Sequence, residues 1–422
     1  MQVFKFGGAS VKNADSVRNV ASIIQQNRHS ELVVVISAMG KTTNALEEVT
    51  TAYLSQSADL PEAWQRVRTY HEQIMQDLAG DQYGQLFESV LQTFGELENY
   101  LAQEPETDKP DKVYDQIVSC GELFSTQIVS AWLNQCGLDA VWVDARRLIH
   151  TDESYREGQV RWERTCEYID NTLRDLLETS IVVTQGFIGS NSQGLTTTLG
   201  REGSDYSAAI FAYCLDAQSV TIWKDVPGVL NADPKYFDET LLIEKLTYQD
   251  AIELAFYGAT VIHPKTIKPL QNKGIPLFVR SFVQPEAPGT AIGPFDDHLR
   301  IASFIFKVNQ LLISLHPRDF SFIAENNLSR IFSIFAESGV KINLMQNTAI
   351  SFSVVVDTKP ERNARLIERL KEDFRVTYNE GLELVTIRYY DQSTIDRVLV
   401  NKKLLLEQKS RYTVQLVVKD LG

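Results

Sequence analysis

Closely spaced cysteines, excess positive charge and long apolar runs are all missing from this sequence. Its 422 residues hold four cysteines, Cys120, Cys136, Cys166 and Cys214. No two form a CxxC pair and few histidines lie near them, so neither a disulfide framework nor a zinc site is expected. Free buried thiols in a reducing cytosol are the expectation. No apolar run nears the roughly 18 residues of a membrane span. Lys5 and the glycines after it interrupt the first apolar run, so no signal peptide is expected and the cytoplasm is the expected location. Lys and Arg number 41 against 55 Asp and Glu, a net charge of −14. That balance excludes a general affinity for nucleic acid or anionic membrane. An anionic substrate stays compatible with it, because a site needs only local positive charge. The two common phosphate loops, GxxxxGK[ST] and GxGxxG, are absent as well.

What is present is an ordinary globular composition, 44% hydrophobic and 23% charged, with length for two or three domains. The first part alternates strands and helices. "ELVVVISAMG" (31–40) is a continuous apolar run suited to a strand buried on both faces of a parallel sheet. A helical excursion from about 43 to 112 carries apolar residues at three- and four-residue spacing. "DAVWVDA", "SIVVTQGFIG", "QSVTIWKDV" and "GIPLFVRSF" read as further strands between helices. This alternation indicates an α/β fold, a mostly parallel sheet sandwiched by helices. "VQPEAPGTAIGPFDDH" (283–298), rich in proline and glycine, marks a boundary. The first domain therefore spans 1–293, and a linker with a first strand occupies 294–308. Residues 309–380 then read β-α-β-β-α-β, the ferredoxin-like order. Residues 381–422 repeat β-α-β-β as a second, incomplete module.

Four constellations fall at the carboxyl ends of expected strands, where open α/β sheets bind ligands. "KFGGAS" offers Lys5, Phe6, Gly7, Gly8 and Ser10, either a tight strand-to-helix turn or a phosphate cradle. "SAMGKTTN" offers Ser37 and Thr43 before a helix, either as a helix cap or as a carboxylate site. In "LGREGSDYSAA", Arg201, Glu202, Gly203, Ser204 and Asp205 crowd a helix start. Arg201 can clamp a carboxylate in a bidentate fork, whereas Asp205 can also simply cap the helix. Glu122, next to a glycine in a mostly apolar helix, adds an anion for an amine. One cation for a carboxylate and one anion for an amine together describe an α-amino acid. "WKDVPGVLNADPK" carries Lys224, Asp225 and Lys235 and reads as a nucleotide-edge loop or an ordinary surface loop. His263 in "VIHPKT" reads as a structural helix-end residue.

Together these segments resemble the aspartate kinases of the amino-acid kinase family. KFGG-S, SAM-G-TT, GEL-ST, LGR-GSD, DVPG…DP and GA-V-HP occur in family order over about the first 293 residues. "RDFSFIAENNLSRIFSIFAESGVKIN" is similar to the family's first regulatory ACT module, so the likeness spans nearly the whole chain. The resemblance implies transfer of the γ-phosphoryl of ATP to the β-carboxylate of L-aspartate, the first step of lysine, threonine and methionine biosynthesis. It implies feedback regulation through the C-terminal ACT tandem and a homodimer or higher homo-oligomer. Lys5 would stabilise the transferring phosphoryl group, and Asp205 would orient that lysine and the reacting centre. Phe6, Gly7, Gly8, Lys224, Asp225 and Lys235 would line the nucleotide, with Mg2+ carried by ATP. Thr43, Glu122, Arg201, Glu202, Gly203 and Ser204 would hold the substrate. Asn343, Gln346 and Thr348 would meet an effector.

Several positions depart from the family pattern. Ala9 replaces a hydroxyl residue, Glu202 a glycine, Leu230 a tyrosine, Thr260 a lysine and Lys235 an arginine. Lys265 is a possible substitute for the lysine lost at 260. Asn343, Thr348 and Ala349 replace Asp, Ser and Glu, which weakens the case for a cationic effector. Two alternatives stand beside the kinase reading: a catalytically silent amino-acid sensor, and a kinase of the same fold acting on another acidic amino acid.

Overall fold

The computed structural model describes residues 1–27, 31–237, 239–259, 262–296, 300–319 and 322–421. These divide into two compact units. The first comprises Met1–Val229, Leu242–Ile252 and Thr260–His298, the second Leu230–Leu241, Glu253–Ala259 and Leu299–Gly422.

The first unit opens with β1 (Gln2–Phe6), α1 (Ala14–Asn27) and β2 (Leu32–Ile36). The five residues of β2, LVVVI, are all buried, as a strand covered on both faces requires. Six helices follow: α2 (Thr42–Leu54), α3 (Leu60–Ala79), α4 (Tyr83–Leu86), α5 (Glu88–Leu101), α6 (Pro110–Val118) and α7 (Cys120–Gln135). The rest is β3 (Ala140–Val143), α8 (Trp162–Thr179), β4 (Ile181–Gln185), β5 (Ile188–Ser190), β6 (Thr196–Thr198), α9 (Gly203–Cys214), β7 (Ser219–Lys224), β8 (Lys245–Thr247), α10 (Tyr248–Tyr257), α11 (Pro264–Lys273), β9 (Leu277–Ser281) and β10 (Thr290–Gly293).

The main sheet runs β3-β4-β2-β1-β7-β9-β10-β8. Its neighbours are parallel except β9 and β10. β1 lies at its centre, between β2 and β7, with Lys5 opposite Val35 and Ile222. Beneath that point Trp223 is fully buried and stacks on Phe6, ring centroids 6.0 Å apart, while Phe4 meets it edge-on. Edge-to-face and stacked contacts of this kind add to the burial of large rings. The side chain of Phe6, expected at the nucleotide, therefore serves the core.

Three details differ from the sequence reading. "SIVVTQGFIG" is two strands broken at Gly186, where a Cβ would fall 2.4 Å from the Cβ of Ser204. The boundary segment 283–298 contains β10, which pairs with β8 and β9. Cys166 and Cys214 are joined in a disulfide, and Cys136 is exposed; only Cys120 is a free buried thiol. The bonded pair lies 48 residues apart, on α8 and the end of α9. Two helices packed side by side bring it together, which no local spacing announces.

The second unit contains β11 (Ser303–Pro317), α12 (Glu325–Glu337), β12 (Ile342–Asn347), β13 (Phe352–Asp357), α13 (Pro360–Asp373), β14 (Phe374–Arg388), α14 (Gln392–Leu399), β15 (Lys402–Lys409) and β16 (Thr413–Asp420). One antiparallel sheet runs β12-β13-β11-β14-β16-β15, as in a pair of ACT modules. β11 and β14 are long enough to serve both halves. The carboxyl half of β11 pairs with β13 and with the start of β14, whereas Ser303–Lys307 pair with Leu384–Arg388. The expected incomplete module thus receives a fourth strand from residues that precede the first module. What it lacks beside the first is a second helix.

Candidate active site

Lys5 is 7% exposed at the carboxyl end of β1. Its ammonium lies 2.6 Å from Asp205 Oδ1, and Lys224 Nζ lies 3.3 Å from Asp205 Oδ2. Asp205 sits in the first turn of α9, whose N-terminus favours negative charge. Burial alone would raise its carboxyl, but the two ammoniums outweigh that and hold it below the usual carboxylate range. β1, β7 and α9 thus deliver two cations and one anion to a single point.

Gly8 shows why this corner needs glycine. A Cβ there would stand 2.6 Å from the Ala38 carbonyl oxygen and 3.0 Å from that of Gly40. The loop after β1 therefore lies flat against the loop after β2, and the Gly40 N–H donates to the Gly8 carbonyl at 3.0 Å.

Glu122, in the first turn of α7, is 3% exposed. Its Oε1 accepts the Ala38 N–H at 3.2 Å, and its Oε2 is buried without a hydrogen-bond partner among the described residues. Burial pushes its carboxyl up to about 8, against the opposing pull of the Ala38 N–H, its own N–H and the Lys5 charge. An acceptor held this way is suited to an incoming ammonium. Behind Thr43, the neighbouring Thr42 hydroxyl meets His71 Nε2 at 3.3 Å. His71 is fully buried, and burial pushes it down to about 4, so it fixes the start of α2 as a neutral ring.

A cavity of about 520 Å³ joins these groups, lined by Lys5, Ser37, Thr43, Glu122, Arg201, Glu202, Gly203, Ser204, Asp205 and Lys224. Sequence reasoning named all ten. Gly200, Tyr114, Arg156, Glu157, Phe187 and Thr198 complete the lining and were not foreseen. The usable signal was Asp115, an acidic residue among the apolar positions of "PDKVYDQIV". Its fully buried carboxylate accepts the N–H groups of Arg156 and Thr198, each at 2.9 Å, and the Thr198 hydroxyl at 2.8 Å. Burial pushes this carboxyl up in spite of those donors.

Other expected residues lie elsewhere. Asp225 and Lys235 are exposed and are not among the lining residues; Lys235 belongs to the 230–241 segment of the second unit. Lys265, the possible substitute for a phosphate-contacting lysine, is engaged within its own chain. Its ammonium donates to the Leu199 carbonyl at 3.0 Å and lies over the Tyr206 ring. Thr260 lies outside the described residues. His263 caps α11, its Nδ1 accepting the Lys265 N–H. In the second unit, Asn343 is engaged within its own chain. Its Nδ2 donates to Gln310 and to Asp357, both at 2.8 Å, and its Oδ1 accepts from Lys307 at 2.9 Å. Gln346 is exposed on the same strand, and Thr348 bonds Ser351 in the turn beyond it.

The model of the amino acid kinase family matches residues 1–281. Lysine-sensitive aspartokinase 3 of Escherichia coli K12 is 30% identical over 393 residues, covering 91% of this chain and 86% of that protein. The structure of E. coli aspartokinase III with aspartate and ADP, in the R-state, superposes with a TM-score of 0.81 at 28% identity, over 99% of this chain and 96% of that one. The lysine and aspartate complex of the same enzyme, in the T-state, gives 0.83 at 27% identity with the same coverage. Matches of this extent, on a chain whose Lys5, Glu122, Arg201 and Asp205 meet in one cavity, mean that it belongs to the amino acid kinase family and, within it, to the aspartokinases.

Proposed function

We propose that this ATP-dependent aspartokinase transfers the γ-phosphoryl group of ATP to the β-carboxylate of L-aspartate, giving 4-phospho-L-aspartate and ADP. The observation that carries this reading is the meeting of Lys5, Asp205 and Lys224 in the same cavity as Glu122 and Arg201. Phosphoryl transfer needs in-line placement and charge neutralisation rather than a protein nucleophile. A carboxylate oxygen of the substrate forms the new bond to the γ-phosphorus as the bond to the β–γ bridging oxygen breaks. Lys5, held by Asp205, neutralises the phosphoryl oxygens, and Lys224 extends that positive charge toward the leaving ADP. The Gly7 and Gly8 amides border the phosphates. Glu122 takes the substrate ammonium on its free Oε2, Arg201 takes a carboxylate, and Thr43 and Ser204 border the same space. Asp205 is engaged by two ammoniums and so is poorly placed to ligate a metal. Mg2+ carried by ATP would supply neutralisation of phosphate charge here.

The same reading places the enzyme in the cytoplasm as a homodimer assembled through the second unit, with any amino-acid effector acting through residues 309–380. Light scattering on the purified protein tests the dimer, and activity titrated with lysine or threonine tests the effector. The decisive assay traps the acyl phosphate with hydroxylamine. Aspartyl hydroxamate should form in step with ADP and depend on both L-aspartate and ATP. ADP release without hydroxamate, or none above a Lys5→Ala control, rejects the reading. L-Glutamate should substitute poorly, since one more methylene misplaces the reacting carboxylate.

A further inference from the structure

Among the described residues, eight that are not glycine have a positive φ, and three of these, Arg156, Phe187 and Glu202, line the active-site cavity. Left-handed backbone is unfavourable for a residue with a Cβ and tends to persist where the side chain is used. Arg156, at φ +64, is the cation among the three.

Its backbone is fixed from below. The buried Asp115 carboxylate that accepts the Arg156 N–H also holds Thr198, so two lining residues share one anchor. Its side chain, by contrast, is only lightly held. The guanidinium carbon lies 3.9 Å from the Tyr114 ring centroid, and Nε meets Asp111 Oδ1 at 2.6 Å. Both members of that ion pair are solvated, with side chains 50% and 62% exposed, and such a pair is readily exchanged. The stack on Tyr114 meanwhile keeps the guanidinium plane in one orientation.

The charges of the cavity call for such a group. Glu157, Glu202 and Asp205 put three carboxylates on the lining besides Glu122, while Asp205 already engages Lys5 and Lys224. A dicarboxylate entering this space finds two guanidiniums, Arg201 and Arg156. We infer that Arg156 is a second substrate-binding arginine: it leaves Asp111 for one carboxylate of the acidic amino acid while Arg201 takes the other. The inference rests on the kinase reading for the identity of that amino acid, but not for the existence of the contact.

The test is Arg156→Gly, which removes the guanidinium and suits the left-handed backbone, so the variant should melt no lower than wild type. The expected result is a rise of about tenfold to a hundredfold in KM for L-aspartate, the range of a lost charge-assisted hydrogen bond. KM for ATP should stay within twofold, and Arg156→Lys should recover part of the loss. An unchanged KM for aspartate in Arg156→Gly overturns the inference. Calorimetric titration of L-aspartate separates it from the kinase reading. Arginine-dependent binding without hydroxamate formation sinks the reaction and keeps the contact. No binding to wild type sinks both.

Discussion

The two walls of the active-site cavity are built on different principles. One wall is the ends of β1 and β7 with the start of α9. Its groups, Lys5, Asp205 and Lys224, are buried or partly buried, satisfy one another and stand on buried strands and the buried start of α9. The other wall is α6 and the loop through Arg156. Its groups, Tyr114, Arg156 and Glu157, are half-buried or exposed, and the backbone at Arg156 is left-handed. A rigid wall suits the atoms whose positions must not change during phosphoryl transfer. An adaptable wall suits recognition, where a solvated ion pair can open for a substrate.

The contrast is broken most directly at Lys5. Lys5→Ala should lower kcat by about a hundredfold to a thousandfold, with the circular dichroism spectrum unchanged, measured by ADP release. A loss under tenfold would deny the rigid wall its role. Gly8→Ala tests its backbone. The added Cβ meets the Ala38 and Gly40 carbonyls, and overpacking of this kind costs about 1–3 kcal/mol, to be read from urea unfolding.

Glu122 provides a pH test between the two walls. Its folded carboxyl, raised to about 8, holds a proton that aspartate's ammonium must displace. Aspartate affinity should therefore rise with pH up to about 8 and flatten above it. Below that point each pH unit costs up to about tenfold in apparent Kd. The ligand-free protein should show the opposite trend in stability. It binds a proton that the unfolded chain releases, so stability falls as pH rises from the ordinary carboxyl value toward 8. Glu122→Gln should flatten both profiles and weaken aspartate binding at pH 8; persistence of either slope would assign it elsewhere. The smallest effect belongs to the adaptable wall. Asp111→Asn frees Arg156 from an exposed partner, so KM for aspartate should fall by no more than about threefold. A rise instead would show that Asp111 orients the guanidinium.

Sequence reasoning reached the rigid wall because strand, glycine turn and helix start are contiguous there. Lys5 with Gly8, and Arg201 with Asp205, sit within a few residues of each other. Glu122 was legible as a carboxylate out of place in an apolar helix. The adaptable wall was not legible, because α6, the Arg156 loop and β6 are brought together by contacts such as those of Asp115, about 40 and 80 residues from its partners. The disulfide was missed for the same reason: α8 and α9 pack together across a long interval.

The shared strands of the second unit bear on how this chain is made. Ser303–Lys307 emerge from the ribosome before the first module, yet their partners on β14 are Leu384–Arg388, about 80 residues later. The carboxyl half of β11 can pair with β13 while synthesis continues. The amino half must wait, as a nascent strand with an open edge, until β14 has appeared. Pairings of such long sequence separation form late and leave edges exposed in the interval. A chain terminated near residue 380 would keep its first module but strand that segment, so premature termination should yield an aggregation-prone product rather than a shorter regulator.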